Sequence, residues 1–203
     1  MPALTRIYTR TGDDGSTSDG SGQRIEKIHP RVVAGGSIDE TNCAIGVAVA
    51  ADELSTMNED LRRLQHFLFD LGADVCVPLK QEPASTTIRI QSSHVVALER
   101  MIDSYNEQLK SLKNFVLPGG STQAAALHLS RSICRRAELD LLQLSQLESI
   151  NPHVIIAMNR LSDLLFVLAR TANTPRGDVL WQPDMKLELH SADGTCHDMQ
   201  PRD

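Results

Sequence analysis

From residue 37 onward the chain alternates stretches of helical period with short polar breaks. Ser37 can cap a helix carrying Glu40 at its third position, a capping-box arrangement, with Ile38, Ile45 and Val49 along one apolar side. Asn58 can cap a second helix, in which Leu61, Leu64, Leu68 and Leu71 recur at helical spacing until Pro78 stops it. After a loop near "KQEPASTT", Val95, Leu98, Ile102 and Tyr105 predict a third. "LPGGS" (Leu117 to Ser121) interrupts the pattern, and a long helix is expected from Ser121 to about Leu147. Asn151 followed by Pro152 starts a last helix, which ends near Asn173 before Pro175. Five helices with mostly short connections predict an all-α fold, a mainly antiparallel bundle.

The two ends lack this regularity. The first 36 residues are polar and glycine-rich, and Pro30 with the Gly35–Gly36 pair is expected to break any regular element. The tail from Arg176 has mixed signals; "KLELHSADGTC" either forms a small hairpin around Asp193–Gly194 or stays irregular. Residues 1–175 therefore read as one domain that includes the opening loop, and 176–203 as a tail.

Composition supports helix-on-helix packing. With 41% hydrophobic but only 3% aromatic residues, Leu, Ile, Val and Ala must fill the core. A formal charge of −6 argues against a general nucleic-acid binder, which needs a basic face, but leaves room for a local basic pocket for a small polyanion. Cys43, Cys76, Cys134 and Cys196 form no C-x-x-C pair and read as buried, reduced thiols of a cytosolic protein. No run approaches ~18 consecutive apolar residues, so no membrane span is expected. Informative sequence begins by Ile7, which leaves no room for a leader peptide, and the cytoplasm is the expected location.

The opening stretch TRTGDDGST, Thr9 to Thr17, has two readings. Glycine, aspartate and serine build tight surface turns, because glycine accepts positive φ and Asp and Ser bond to nearby backbone. The same residue types cradle phosphates, since glycine lets backbone N–H groups approach an anion and hydroxyls donate to it. It is not a Walker A motif: Ser16, not lysine, follows Gly15.

Polar positions inside the last two helices also line up. Arg131, Arg135 and Glu138 share one face of the fourth helix, whereas Arg136 points elsewhere. In the last helix Asn159, Asp163, Phe166 and Arg170 form a second stripe. These are either solvated faces with helical ion pairs or a buried or inter-subunit site, where paired arginines suit triphosphate oxygens or a neighbour's carboxylate. A di-metal carboxylate bundle is excluded, because the single Glu-x-x-His, Glu26–His29, lies in a non-helical region. His128 reads as a packed helix histidine and not a catalytic base.

Taken together, "YTRTGDDGST" (8–17), Lys27, "RVVAGGSIDETN" (31–42), "LFDLGADV" (68–75), "FVLPGGS" (115–121), "LHLSRSICRRAE" (127–138) and "NRLSDLLFVLAR" (159–170) resemble the PduO-type ATP:cob(I)alamin adenosyltransferases. The resemblance implies a homotrimer of helical bundles with sites between neighbouring subunits. It implies that cob(I)alamin attacks C5′ of ATP and expels triphosphate, giving adenosylcobalamin. Carried over by position, Thr9, Arg10, Thr11, Gly12, Asp13, Asp14, Gly15, Ser16, Thr17, Ser18 and Lys27 would bind ATP. Arg135, Arg136, Glu138 and Asn159 would complete the nucleotide site, with Glu138 at Mg²⁺. Asp39 and Arg131 would form the inter-subunit ion pair. Phe115 would border the corrin and keep cobalt free of its lower ligand, and Arg135, Phe115 and Asn159 would carry the catalysis.

Partners implied are ATP, Mg²⁺, cobalamin, a reductase and an adenosylcobalamin-dependent enzyme, with neither nucleic acid nor membrane. The residues suit this chemistry. The nucleophile is the corrinoid's own cobalt, so no Ser, Cys or His nucleophile is needed, and cationic and N–H groups meet charge growing on the leaving triphosphate. Asp13 and Asp14 would repel that anion unless one orders the loop or meets the metal's water shell while the other faces solvent. The chain departs from the family pattern at Gly35, where a larger residue often stands, in "SDGSGQ" (18–23), and beyond Arg176. Rival readings are another ATP-dependent transferase, a triphosphate hydrolase, or a non-catalytic nucleotide or corrinoid carrier.

Overall fold

The computed structural model describes residues 7–79 and 87–186. Five helices dominate: α1 (Pro30–Ala50), α2 (Asn58–Cys76), α3 (Ser92–Asn106), α4 (Thr122–Leu147) and α5 (Pro152–Ala172). Two short strands precede them, β1 (Ser16–Ser18) and β2 (Arg24–Glu26), paired antiparallel with Thr17 opposite Ile25. Among the described residues this hairpin and an isolated antiparallel bridge between Val116 and Leu180 add to the all-α expectation. The helices pack laterally in the order α2, α1, α4, α5, α3, so α4 is central and α1 and α5 flank it. The "KLELHSADGTC" segment and Cys196 lie outside the described residues.

Local chemistry explains most boundaries. Ser121 Oγ accepts from the Ala124 N–H at 3.1 Å to open α4, and Asn151 Oδ1 accepts from the His153 N–H at 3.1 Å to open α5, with Pro152 first in the helix. The leucines expected in α2 are buried, as are Val95 and Leu98 of α3, with Ile102 and Tyr105 packed against the same core.

Two starts differ from expectation. α1 begins at Pro30, not after Ser37, and runs straight through Gly35 and Gly36. Proline at the first helical position loses no N–H bond, and the His29 ring caps the helix by accepting from the Arg31 N–H at 3.2 Å. The glycines cost helix propensity, but burial of Arg31, Ala34, Ile38, Thr41 and Ile45 on the inner face outweighs it. Ser37 is therefore a mid-helix residue that donates to Asp140 of α4, and Glu40 bonds Arg136 and caps nothing. In α2 the capping position is Met57, one residue early. Asn58 is buried inside the turn, donating to Asp52 O at 2.7 Å and accepting from Gln123 Nε2 at 3.1 Å.

Cysteine burial also differs: Cys134 is buried, but Cys43 and Cys76 are exposed, all three as free thiols. Burial pushes the Cys134 thiol pKa up and keeps it protonated. α5 is long and apolar enough to cross a membrane by length and composition, yet eleven of its residues, including Ser162 and Arg170, are buried inside the protein. Its apolar character is that of a core helix.

One polar knot fixes the ends of three elements. Buried Asp74 of α2 accepts from Arg89 Nη1 at 2.6 Å, the Ile90 N–H at 2.7 Å and Asn151 Nδ2 at 2.6 Å. This ties the entries of α3 and α5 to α2. Its satisfaction from several sides makes a buried carboxylate tolerable.

Candidate functional site

The opening loop is a self-bonded turn at the surface. The Gly15 N–H donates to Gly12 O at 3.2 Å, with Gly15 at φ 85°, a conformation that favours glycine. Asp14 Oδ1 accepts from the Ser16 N–H at 3.0 Å and from Ser16 Oγ at 2.7 Å. These bonds, led by the Ser16 hydroxyl, with Arg24 adding to them, hold the Asp14 carboxyl below the usual carboxylate range. Asp14 is thus the aspartate that orders the loop, and Asp13 is exposed. Arg10 adopts φ 61°, rare for a side-chain-bearing residue, and its guanidinium stands 5.5 Å from the Tyr8 ring centroid.

Lys27 completes this unit. Its N–H donates to Gly15 O at 2.9 Å, and its ammonium lies so close over Gly12 that a Cβ there would stand 3.1 Å from Nζ. An alanine at position 12 would also meet Ser16 O at 2.9 Å. Gly12 therefore makes the room in which a lysine faces a glycine-rich turn, with the Thr9 and Thr11 hydroxyls bonded to each other at 2.9 Å at the exposed start of the loop. Beside it opens a cavity of about 420 Å³ lined by Thr17, Ser18, Asp39, Phe69 and Cys76.

The polar faces of α4 and α5 form a second group. Asn159 Nδ2 donates to Glu138 Oε1 at 3.0 Å, and Arg160 Nη1 donates to Asn159 Oδ1 at 2.7 Å. Arg135 is exposed next to them. One helical turn back, the Arg131 guanidinium lies 6.0 Å from the Phe166 centroid, and His128 meets the same ring edge-on at 6.1 Å. Burial and the Arg131 charge push the His128 pKa down, and neither ring nitrogen has a hydrogen-bond partner among the described residues. His128 is thus a packed, neutral histidine. Arg131, Asp163 and Phe166 line a separate cavity of about 470 Å³.

The α5 stripe does not act as a unit. Arg170 is 7% exposed and bonds Asp178 Oδ2 at 2.8 Å and Lys110 O at 2.7 Å, a structural role. Arg136 also stands apart, bound to Glu40 on the outer side of α1.

Phe115 is 76% exposed, and its position is fixed by backbone. The Trp181 N–H donates to Phe115 O at 2.8 Å, the Leu117 N–H to Val179 O at 2.8 Å, and Asn114 Nδ2 to Trp181 O at 2.7 Å. Trp181 then meets Phe115 edge-on, with ring centroids 6.0 Å apart. Just after this bridge, Asn173 clamps "LPGGS": its Oδ1 accepts from the Ser121 N–H at 2.9 Å and its Nδ2 donates to Gly119 O at 3.0 Å. Gly120, at φ 104°, fits against that amide.

The β1–β2 hairpin has no close backbone contact with α4 or α5. Asp39 lines the cavity on the loop side and Arg131 the cavity on the α5 side. Among the described residues, no hydrogen bond or ion pair joins the Thr9–Ser18 loop or Lys27 to Arg135, Glu138 or Asn159 within one chain. Sequence reading missed Arg24, Asn173 and Trp181. Only Arg24 carried a signal, as a cation within the loop region.

The chain is thus a helical bundle that carries a glycine-rich loop beside a lysine at one place and a polar helix face on α4 and α5 at another. The profile of the cobalamin adenosyltransferase family matches residues 7–172, and the chain belongs to that family. Among its relatives, the corrinoid adenosyltransferase of Mycobacterium tuberculosis H37Rv is 47% identical over 183 residues, 89% of this chain and 94% of the relative. The corrinoid adenosyltransferase of Mus musculus is 37% identical over 178 residues, 86% and 75% of the two chains. A phenylalanine-to-histidine variant of the PduO-type ATP:corrinoid adenosyltransferase from Lactobacillus reuteri, solved with cobalamin and ATP, superposes with a TM-score of 0.81 at 38% identity. That comparison covers 88% of this chain and 97% of the other.

Proposed function

We propose that this chain transfers the 5′-deoxyadenosyl group of ATP to cob(I)alamin, forming adenosylcobalamin and releasing triphosphate. The observation that carries this reading is the Lys27–Gly12 loop on a chain whose solved relatives hold ATP and cobalamin. The loop's N–H groups and hydroxyls, Lys27 and Arg135 receive the triphosphate as charge grows on it. Asn159, held between Glu138 and Arg160, orients the nucleotide side of the site. Phe115, exposed and apolar, faces the corrin and excludes a lower axial ligand from cobalt, which makes the reduced state easier to reach.

Mg²⁺ fits Glu138. Magnesium is commonly held by one or two carboxylates plus substrate phosphates, and a single glutamate beside a triphosphate meets that pattern. The ion would neutralise leaving-group charge.

Three mainly antiparallel bundles assemble so that one subunit's loop faces the next subunit's α4–α5 face. The placement of Asp39 and Arg131 in different cavities, free to pair across subunits, supports this. A reductase delivering the cobalt electron and an enzyme consuming adenosylcobalamin are the partners this chemistry needs.

The test is anaerobic incubation with ATP, Mg²⁺ and chemically reduced cobalamin. Loss of cob(I)alamin absorbance matched by release of intact triphosphate is the expected result. Phosphate or pyrophosphate in its place identifies a different ATP-dependent enzyme, and no turnover identifies a carrier.

A further inference from the structure

We propose that Arg24 is a positioning residue that pre-forms the ATP loop, an inference that rests on the function proposed above. Residues Thr9 to Gly15 lie on the outside of the β1–β2 hairpin, nearly all exposed. Such a segment pays backbone entropy on ordering, about 1–2 kcal/mol per residue, unless something orders it beforehand. Arg24, on β2, spans it. Its Nη2 donates to Thr11 O at 2.7 Å, reaches Asp14 Oδ1 at 3.4 Å and also bonds Ser16 Oγ. One guanidinium thus joins the start, middle and end of the turn that carries the phosphate donors.

The far end of the same hairpin is fastened to the bundle. The Gly20 N–H donates to Cys76 O at 2.8 Å, at the C-terminus of α2, and a Cβ on Gly20 would stand 2.6 Å from Val77 Cγ2. Asp19 Oδ1 closes that tip by accepting from the Ser21 N–H at 2.8 Å and the Gln23 N–H at 2.9 Å. Position is therefore passed from α2 through Gly20 to β2, and from β2 through Arg24 to the loop. The Arg24 side chain is 45% exposed, so its long-range charge is screened and its contribution comes from geometry. All three contacts run from the single Nη2, which the planar guanidinium holds in a fixed direction, whereas a lysine ammonium swings on a flexible stem.

The experiment measures ATP binding by calorimetry and hydrogen exchange of the loop amides in nucleotide-free protein, for wild type, Arg24→Ala and Arg24→Lys. In Arg24→Ala the ATP Kd rises about tenfold, the factor one charged hydrogen bond carries. The Ser16 and Lys27 amides exchange faster before any nucleotide is added. At saturating ATP, kcat and the KM for cobalamin stay within about twofold, and the urea midpoint is unchanged, because the side chain is at the surface. Arg24→Lys recovers part of the affinity.

An unchanged ATP Kd overturns the proposal. So does weaker binding with unchanged exchange in the free protein, which would make Arg24 a direct phosphate ligand. A wild type that binds ATP without consuming cob(I)alamin overturns the proposed reaction but leaves the Arg24 comparison intact; a wild type that binds no ATP overturns both.

Discussion

Replacing Gly120 by alanine probes how the loop before α4 is locked to the end of α5. The new Cβ would stand 2.1 Å from Asn173 Oδ1 and 2.5 Å from its Cγ and Nδ2, closer than atoms can approach. Neither partner yields cheaply. Gly120 sits at φ 104°, where an L side chain costs about 1–3 kcal/mol. Asn173 is 2% exposed, and moving its amide breaks the bonds to Ser121 N and Gly119 O, each worth about 1 kcal/mol. The sum is about 3–5 kcal/mol, a large part of the ~5–15 kcal/mol that holds a domain folded.

With a urea slope of ~2–3 kcal/mol per molar, the midpoint of Gly120→Ala falls by roughly 1–2 M at fixed protein concentration. A double variant separates the causes. If overlap with Asn173 dominates, Gly120→Ala combined with Asn173→Ala is little worse than Asn173→Ala alone. A Gly120→Ala protein within about 1 kcal/mol of wild type, or fully additive losses, would refute the reasoning.

Four other outcomes follow from the same geometry. Phe115→Ala keeps its stability within ~0.5 kcal/mol, because the ring is exposed, yet loses most turnover when cob(II)alamin must be reduced on the enzyme; unchanged steady-state rates refute its role. Arg135→Ala loses ~1.5–3 kcal/mol of ATP binding or transition-state stabilisation, read as kcat/KM for ATP, and wild-type kinetics would remove it from the site. In the proposed trimer, Asp39→Asn weakens association or cofactor binding, measured by sedimentation and titration; unchanged association with full activity contradicts the inter-subunit pair. His128 is held neutral, its pKa depressed by burial and then by Arg131, so its contribution is full above its ordinary value of 6.5 and is lost as pH falls below it. The wild-type melting temperature should therefore drop more between pH 7.5 and pH 5.5 than that of His128→Leu, and equal drops refute the assignment.

Helices with strong apolar period and an asparagine or serine cap, such as α4 and α5, were legible from residue spacing alone. α1 was not, because proline and paired glycine read as breakers until one knows that α1 packs along α4 and that His29 caps it. For the loop and the Arg135–Glu138–Asn159 face, residue types alone left a tight turn and a solvated helix face open beside a binding site, because a sequence carries no distances. The support around Phe115 was hidden for a related reason: Trp181 and Asn173 act through backbone pairing and a side-chain clamp across more than fifty residues of chain, contacts with no periodic signature.

The Arg170–Asp178 pair has a bearing on where this fold can be cut. Arg170 is almost fully buried on α5, and its carboxylate partner comes from beyond the last helix. A chain ending soon after Asn173 would keep every helix but leave a guanidinium sealed in the interior without its counter-ion, a penalty of about 3–5 kcal/mol. The same cut would remove the backbone partners of Phe115 and Leu117. The segment that looks dispensable in sequence thus works as a latch. It neutralises the core at one end and steadies an exposed aromatic at the other, so shortening it would disturb stability and chemistry together.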